Sequence, residues 1–366
     1  MSKNIVICID GTGNEFGDTN SNVIKLYSTL IVDDGKQVVY YHPGLGTMGA
    51  PGALTKLAKW WTQLLGQAFG YGLSGALQDC YSFLMESYED GDSVYIFGFS
   101  RGAYCARALA AMLYMYGLLH RGNEPLIPYV LKMFEKKNRA QADSDLAFTF
   151  KNTFSRTCKS HFVGVWDTVS SVGWIYDPFH LPYTTLNPDV QNGRHAISID
   201  ERRCAFRQNL WSATTRPGQD LKQVWFAGVH SDIGGGYPEK ESGLAKISLQ
   251  WMLDEAKTKG LLVSPGREQK ILGATDPSMT RPSCTGMLHK SLTGFWWVLE
   301  VFPRRFWDAK AVPPRMRWKI PLASPRHMGV ASEVHSSVCN RILQDSTYRP
   351  TNLPPGKCPF PSTSIG

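Results

Sequence analysis

A short apolar run that ends at a glycine-rich turn and continues as a helix constrains the fold more than any other segment. Residues 93–97 are rich in β-branched and aromatic side chains, which is typical of a buried parallel strand. Residues 98–102 read Gly-Phe-Ser-Arg-Gly, and an Ala- and Leu-rich helical pattern follows over 103–118. Strand, G-x-S-x-G and helix in this order predict a nucleophile elbow with Ser100 at its tip. The positive end of the helix would stabilise negative charge that develops beside this serine.

Strands and helices alternate along the first 260 residues, and this alternation predicts the fold class. Besides the elbow strand, strand patterns cover residues 3–9, 37–41, 160–166 and 223–229. Their spacing predicts an α/β fold with a mainly parallel sheet and helices on both faces. Residues 173–220 carry scattered Pro, Asn and Asp, so we predict loops and a short helix there.

No linker divides the 366 residues, so we predict one elaborated α/β-hydrolase-like domain over residues 1–348. Residues 121–156 and 263–330 interrupt the alternation and are predicted to be cap or lid insertions. Residues 349–366 form a Pro- and Ser-rich tail that we expect to be poorly ordered.

Composition excludes several classes of protein. No run reaches the roughly eighteen apolar residues of a membrane span, and the opening strand lacks the features of a signal peptide. We therefore expect a cytoplasmic protein, with peripheral membrane association or non-classical secretion left open. The eight cysteines are scattered without a C-x-x-C pair, which favours free thiols in a reducing compartment but leaves a single pairing open.

The net charge of +8 is unevenly distributed. Residues 301–330 contain seven Lys or Arg and one acid, and two tryptophans precede them. This combination suits an anionic membrane surface, so we predict peripheral membrane contact through Trp296, Trp297, Arg304 and Arg305. The alternative is a solvated loop region whose tryptophans fill a small core of their own. No nucleic-acid-binding motif accompanies the charge, and we expect no nucleic-acid partner.

Two later strands end in residues that suit a serine nucleophile, which needs a base oriented by a third group. The strand at 160–166 ends at Asp167, and the strand at 223–229 ends at His230. Acid and histidine follow the serine in the order seen in α/β hydrolases. We predict that Asp167 orients the imidazole and that His230 exchanges the proton of Ser100.

Two other residues fit the same roles. Asp232 is the alternative acid, and His335 is the alternative base. Sequence reasoning leaves both alternatives open.

An oxyanion hole requires backbone amides near the serine. We predict the amide of Arg101 as one donor, and Gly11 and Thr12 after the first strand as the source of a second. Asp10 is expected to support that loop, and Asp232 the loop of His230. Asp10 and Asp232 could alternatively bind a metal, but no ligand spacing specifies one, and we expect neither metal nor cofactor.

Five blocks of sequence together resemble a known family. They are residues 10–12, 98–104, 164–169, 195–203 and 228–237. Blocks like these occur in this order in an α/β-hydrolase family of mostly uncharacterised bacterial and fungal proteins. The family includes the first class of type VI secretion phospholipase effectors, whose members carry a large extra domain for membrane attachment. The resemblance spans roughly residues 3–260.

This resemblance implies esterase chemistry on a lipid-like acyl ester, with Ser100 as nucleophile, and it strengthens the choice of Asp167 and His230. The sequence thus predicts a serine hydrolase of the lipase or phospholipase type. The alternative is a non-catalytic α/β-hydrolase-like module that binds a ligand or partner in the same pocket. The presence of all three residues argues against that alternative, because a decayed site would have lost one of them.

Overall fold

A computed structural model describes most of the chain. The described residues are 2–11, 17–44, 67–136, 141–169, 173–174, 177–178, 181–212, 216–294, 296–308 and 315–358. The strands within them are β1 (Asn4–Ile9), β2 (Gln37–His42), β3 (Ser93–Phe99), β4 (Leu118–Leu119), β5 (Ser155–Arg156), β6 (Ser160–Trp166), β7 (Gly173–Trp174), β8 (Asp177–Pro178), β9 (Asn192–Ser198), β10 (Asp220–Phe226), β11 (Arg304–Asp308), β12 (Arg315–Lys319) and β13 (Glu333–Val334). The helices are α1 (Asn22–Thr29), α2 (Gln67–Ser87), α3 (Arg101–Tyr116), α4 (Ile127–Glu135), α5 (Gln141–Phe154), α6 (His230–Gly234), α7 (Gly243–Lys257), α8 (Pro265–Ile271), α9 (Trp296–Glu300) and α10 (Ser336–Gln344).

Seven of these strands form one sheet in the order β13-β10-β9-β6-β3-β1-β2. All neighbouring pairs in it are parallel, which confirms the predicted α/β class. Phe99 pairs with Trp166, and Trp166 pairs with Ala196. Ser100 and Asp167 directly follow the first two of these residues, so they leave the sheet side by side at its carboxyl edge.

Helices cover both faces of the sheet because side chains of a buried strand alternate between two cores. In β1, Ile5 and Ile7 pack with α2 and α3 on one face. Val6 and Cys8 pack with α1 and α7 on the other. The continuous apolar sequence of β1 is therefore that of a strand buried on both sides, as the predicted layered architecture requires.

The centre of the sheet contains a strand that hydropathy did not indicate. We predicted loops and a short helix over 173–220, and this prediction is wrong for β9, which lies between β6 and β10. Arg194 is buried within β9 and is bound by Asp220 and Glu255 at 2.7 and 2.6 Å. A strand whose buried side chains include charged groups paired by other elements shows no apolar run in the sequence.

The two predicted insertions meet the sheet at different places. Segment 121–156 begins after β4 and returns through β5, and these two strands pair antiparallel at the amino-terminal edge of β6. Segment 263–330 contacts the carboxyl edge instead, where its Arg326 binds Asp167. The second insertion is therefore the one that reaches the candidate site, and its action as a lid stays a prediction.

The end of the chain is packed where composition predicted poor order. Tyr348, Leu353 and Cys358 are buried in a third core cluster beneath α10. Cys358 also forms a disulfide with Cys339. For residues 349–358 the expectation of poor order is therefore wrong, because Pro-rich composition does not reveal these contacts. Residues 359–366 lie outside the described part of the chain.

Candidate active site

Ser100 occupies the turn between β3 and α3 with strained backbone geometry. Its φ of 58° and ψ of −119° are unusual for a residue with a side chain. A Cβ at position 98 would lie 2.5 Å from the carbonyl oxygen of Gly102. A Cβ at position 102 would lie 2.3 Å from the carbonyl oxygens of Ile9 and Asp10. Both glycines are therefore required for a turn that holds Ser100 at the start of a helix.

A chain of hydrogen bonds extends from Ser100 through His230 to Asp167. His230 Nε2 lies 2.8 Å from Ser100 Oγ, and His230 Nδ1 lies 2.5 Å from Asp167 Oδ2. All three residues are buried, with exposed fractions of 8, 4 and 0% in chain order from Ser100 through His230 to Asp167. With the Nδ1 proton donated to the carboxylate, Nε2 is left to accept the hydroxyl proton. This is the arrangement that converts a serine hydroxyl into a nucleophile.

Two aromatic rings and a buried carboxylate fix the orientation of His230. The rings of Phe99 and Phe206 lie 4.7 and 4.8 Å from the imidazole centre. Glu201 Oε2 accepts the backbone amide of His230 at 3.2 Å. Burial lowers the pKa of His230, and the hydrogen bond to Asp167 offsets this only in part. The imidazole is therefore neutral at neutral pH and able to accept a proton.

Asp167 has a cationic partner in addition to His230. Arg326 Nη1 lies 2.5 Å from Asp167 Oδ1, and Nη2 lies 3.0 Å from Oδ2. The amide of Ser198 donates to Oδ1 at 2.9 Å. Burial alone would raise the pKa of Asp167, but Arg326 and His230 together hold that pKa well below its usual range. Asp167 therefore remains ionised although it is fully buried.

Sequence reasoning did not identify Arg326 as part of the site. It lies among the basic residues that indicated a membrane surface, and 159 positions separate it from Asp167. His195 follows no predicted strand end, yet its Nε2 accepts the amide of Thr168 at 3.1 Å and steadies the turn after β6. The resembling block 195–203 was the available signal for His195, whereas no local pattern marks Arg326.

Asp10 organises the loop after β1. Its Oδ1 accepts the amide of Gly11 at 2.6 Å, and its Oδ2 accepts the hydroxyls of Ser21 and Tyr41 at 2.6 and 2.9 Å. These bonds are those of a residue that supports a loop, the role expected for it.

The predicted oxyanion donors are differently placed. Arg101 is the first residue of α3, so its amide lies beside Ser100 at the helix N-terminus. The amide of Gly11 is directed to the carboxylate of Asp10 instead of an acyl oxygen, which differs from its predicted role. Thr12 lies outside the described residues.

The alternative acid and base have other partners. Asp232 Oδ1 lies 2.6 Å from His289 Nδ1, and its Oδ2 accepts the amide of Val229 at 3.0 Å. His335 is the N-cap residue of α10, and its ring stacks on Phe226 at 4.7 Å. In the hydrogen bonds of the described residues, neither side chain reaches Ser100. The geometry therefore favours Asp167 and His230 for the two roles.

Across the part of the chain that is described, no group of three or more His, Cys, Asp or Glu side chains is arranged to hold a metal ion. The carboxylate of Asp167 is already taken by Arg326 and His230.

The residues predicted to contact a membrane differ in exposure. Trp297 is 51% exposed. Trp296 is only partly exposed, because its ring packs 5.3 Å from that of Phe206 and so forms part of the wall behind His230. The side chains of Arg304 and Arg305 lie outside the described part. None of the helices in the described ranges combines the length and the apolarity needed to cross a membrane.

A parallel sheet, a serine at a strand–helix elbow and a hydrogen-bonded His–Asp pair at the same edge define an α/β-hydrolase-like protein. Comparison with known families gives a more specific answer. The model of the type VI secretion Tle1-like phospholipase effector catalytic domain matches residues 3–255. The chain belongs to this family, which confirms the resemblance seen in the sequence.

Three known proteins illustrate the similarity. Uncharacterized protein YEL023C of Saccharomyces cerevisiae is 40% identical over 221 residues, which are 56% of this chain and 32% of the yeast protein. The chain thus spans about a third of the length of that relative. A crystal structure of an uncharacterized protein from Pseudomonas aeruginosa aligns with 73% of this chain and 47% of its own, at 20% identity and a TM-score of 0.41. The Tle1 effector bound to the VgrG spike of the type VI secretion system aligns with 77% of both chains, at 15% identity and a TM-score of 0.42.

Proposed function

We propose that this protein is a serine hydrolase of the phospholipase type that cleaves acyl esters with Ser100, His230 and Asp167. The observation that carries the proposal is the continuous chain of hydrogen bonds between these three buried side chains at the elbow. Membership of a family of phospholipase effector catalytic domains supports a lipid ester as the substrate.

The reaction begins with attack of Ser100 Oγ on the acyl carbonyl carbon. His230 Nε2 takes the hydroxyl proton as the bond forms, and Asp167 stabilises the resulting imidazolium. Collapse of the tetrahedral intermediate breaks the bond to the leaving alcohol, which receives the proton from His230. Water, activated by the same imidazole, then hydrolyses the acyl-enzyme and restores Ser100.

The developing oxyanion is stabilised at the N-terminus of α3. The amide of Arg101 follows the nucleophile directly and supplies one donor. The second donor is proposed to come from the loop that follows Asp10, with Thr12 as the remaining candidate. The bond between the Gly11 amide and Asp10 supports an anchoring role for Gly11 in that loop.

An exposed apolar surface beside the site suits contact with a lipid interface. Trp297, Val298, Val301 and Phe302 in and after α9 are all exposed. Indole and aliphatic side chains in this setting favour the boundary between headgroups and acyl chains. We include this surface in the proposal as the peripheral membrane contact, with Trp296 as an internal support.

Fatty acid release tests the proposal directly. Wild-type protein and the Ser100→Ala variant are incubated with phospholipid vesicles, and released fatty acid is measured by mass spectrometry. We expect Ser100→Ala to lower release by about a thousandfold. Ser278→Ala, which changes a serine in an exposed turn, is the matched control and should retain wild-type release. Folded wild-type protein that hydrolyses no ester would instead favour the ligand-binding alternative.

A further inference from the structure

A cleft lined by cationic side chains lies beside the candidate active site. Its volume is about 440 Å³. The side chains that define its character are Arg202, Arg203, Phe206, Arg207, Lys319 and Arg326. They come from two separate regions, the segment after β9 and the end of the second insertion. Both regions are therefore needed to form the cleft.

The cleft carries more positive charge than its acids neutralise. Arg203 pairs with Glu201 at 2.8 Å, and Arg326 pairs with Asp167. Arg202 and Lys319 are exposed, and neither has an acidic partner among the described residues. Because Glu201 is the one acid in the lining, the uncompensated charge favours an anion.

The cleft is separated from the reacting atoms by one layer of side chains. The ring of Phe206 lines the cleft and lies 4.8 Å from the imidazole of His230. Arg326 lines the cleft as well and binds the carboxylate of Asp167. An anion held here would thus lie close to an ester bound at Ser100. A glycerophospholipid has this pattern, because its acyl esters and its phosphate share one glycerol.

Exposed apolar residues next to Lys319 in the chain indicate that the anion belongs to a lipid. Trp318 and Ile320 precede and follow Lys319, and they are 57 and 45% exposed. A cation flanked by exposed apolar side chains suits a membrane interface, where the apolar groups enter the acyl region and the ammonium meets phosphates. A site for free phosphate would not need these exposed apolar neighbours.

We propose that this cleft binds the phosphate of a glycerophospholipid through Arg202 and Lys319 while the acyl ester lies at Ser100. The proposal rests on the hydrolase function and deepens it by assigning a headgroup site. Arg guanidinium and Lys ammonium groups are the side chains that form strong charge-assisted hydrogen bonds to phosphate oxygens. The site would make the enzyme selective for phosphate-bearing esters over neutral ones.

Selectivity is measured with two soluble substrates, monomeric dihexanoyl phosphatidylglycerol and the neutral ester p-nitrophenyl butyrate. We expect the Arg202→Gln/Lys319→Gln double variant to lower the ratio of their kcat/KM values about tenfold. The matched control is Lys36→Gln/Arg267→Gln, which removes two exposed cations that do not line the cleft and should leave the ratio unchanged. An equal ratio in both double variants would overturn the proposal.

A binding measurement tests the headgroup site independently of the hydrolase function. Calorimetry with Ser100→Ala protein measures binding of the phosphatidylglycerol and of inorganic phosphate without turnover. Lipid binding that is lost on adding Arg202→Gln/Lys319→Gln supports the cleft even if wild-type protein hydrolyses neither ester, a result that would defeat the proposed function alone. Inorganic phosphate that binds as tightly as the lipid would overturn the lipid assignment.

Discussion

The parallel sheet and the second insertion contribute to the same site in different ways. The sheet supplies Ser100, Asp167 and His230 at the ends of three strands. Segment 263–330 supplies Arg326, which holds the charge of Asp167, and His289, which holds Asp232. The sheet thus provides the groups proposed to react, and the insertion provides the charged partners of two carboxylates beside them. The family match ends at residue 255, so the contribution of the sheet lies inside the matched residues and that of the insertion lies outside them.

This contrast teaches that the reacting residues and the residues that tune them need not share a local pattern. Strand ends are fixed by the topology of the sheet, so residues that follow strands meet at one edge. A guanidinium that pairs with a buried carboxylate can arrive from any part of the chain that reaches it.

Loss of His230 should abolish most of the activity, because the sheet region carries the proton transfer. We expect His230→Ala to lower kcat by about a thousandfold or more. His335→Ala removes the alternative base, which stacks on Phe226 away from the serine, and should stay within a few-fold of wild type. Steady-state hydrolysis of p-nitrophenyl butyrate measures both. A larger loss of activity in His335→Ala than in His230→Ala would show that His335, not His230, is the base.

Loss of Arg326 should have the next largest effect, because it leaves Asp167 buried beside the imidazole alone. We expect Arg326→Gln to lower kcat/KM by about ten- to a hundredfold and to cost about 3 kcal/mol of stability. Arg326→Lys restores the charge without the paired geometry and should lie in between.

The pH dependence distinguishes this positioning role from a merely structural one. The folded-state pKa of Asp167 lies below its unfolded value, so its contribution to stability is present above the unfolded pKa and is lost as the pH falls through the folded pKa. Removing Arg326 raises that folded pKa, and the uncompensated carboxylate also raises the pKa of His230, whose protonation sets the acidic limb of the rate. The acidic limbs of both the stability curve and the rate profile should therefore shift to higher pH in Arg326→Gln. Unshifted limbs with a reduced rate would show that Arg326 acts through packing alone.

Loss of His289 should affect the enzyme less, because its partner Asp232 supports the loop of His230 without contacting the serine. His289 Nδ1 lies 2.6 Å from Asp232, and Tyr237 stacks on the ring at 3.6 Å. We expect His289→Ala to cost about 1–3 kcal/mol, since it leaves a buried carboxyl without its side-chain partner. The rate should fall only a few-fold. Thermal denaturation measures the stability, and steady-state hydrolysis measures the rate. A rate loss equal to that of Arg326→Gln would show that the Asp232 contact matters as much for the reaction as the Asp167 contact.

Loss of the disulfide should have the smallest effect on activity. Cys339 and Cys358 are separated by 19 positions, so their bond closes a short loop that joins α10 to the chain end packed beneath it. We expect Cys339→Ser to cost about 3 kcal/mol of stability with hydrolysis rates unchanged. Denaturant unfolding and activity assays measure the two quantities. A marked loss of activity would link the chain end to the site.

The sequence predicted the parts of the molecule that follow from local pattern. The parallel sheet, both helix layers and the elbow at Ser100 come from apolar runs and glycine spacing. Asp167 and His230 were predicted because each follows an apolar strand, and the structure joins both to Ser100 by hydrogen bonds. Strand β9 was not predicted, because its buried Arg194 is charged and is paired with side chains from other elements. Arg326 was not predicted as a site residue for the same reason, since a buried ion pair can join residues that are far apart in the sequence.

Labelling with a fluorophosphonate probe shows directly whether Ser100 is an activated nucleophile, because the probe reacts with such serines. Purified wild-type protein, Ser100→Ala and His230→Ala are treated in parallel, and the modified peptide is identified by mass spectrometry. We expect a single label on Ser100, absent in Ser100→Ala and strongly reduced in His230→Ala. Folded wild-type protein that takes up no label, or a label that persists in Ser100→Ala, would contradict this expectation.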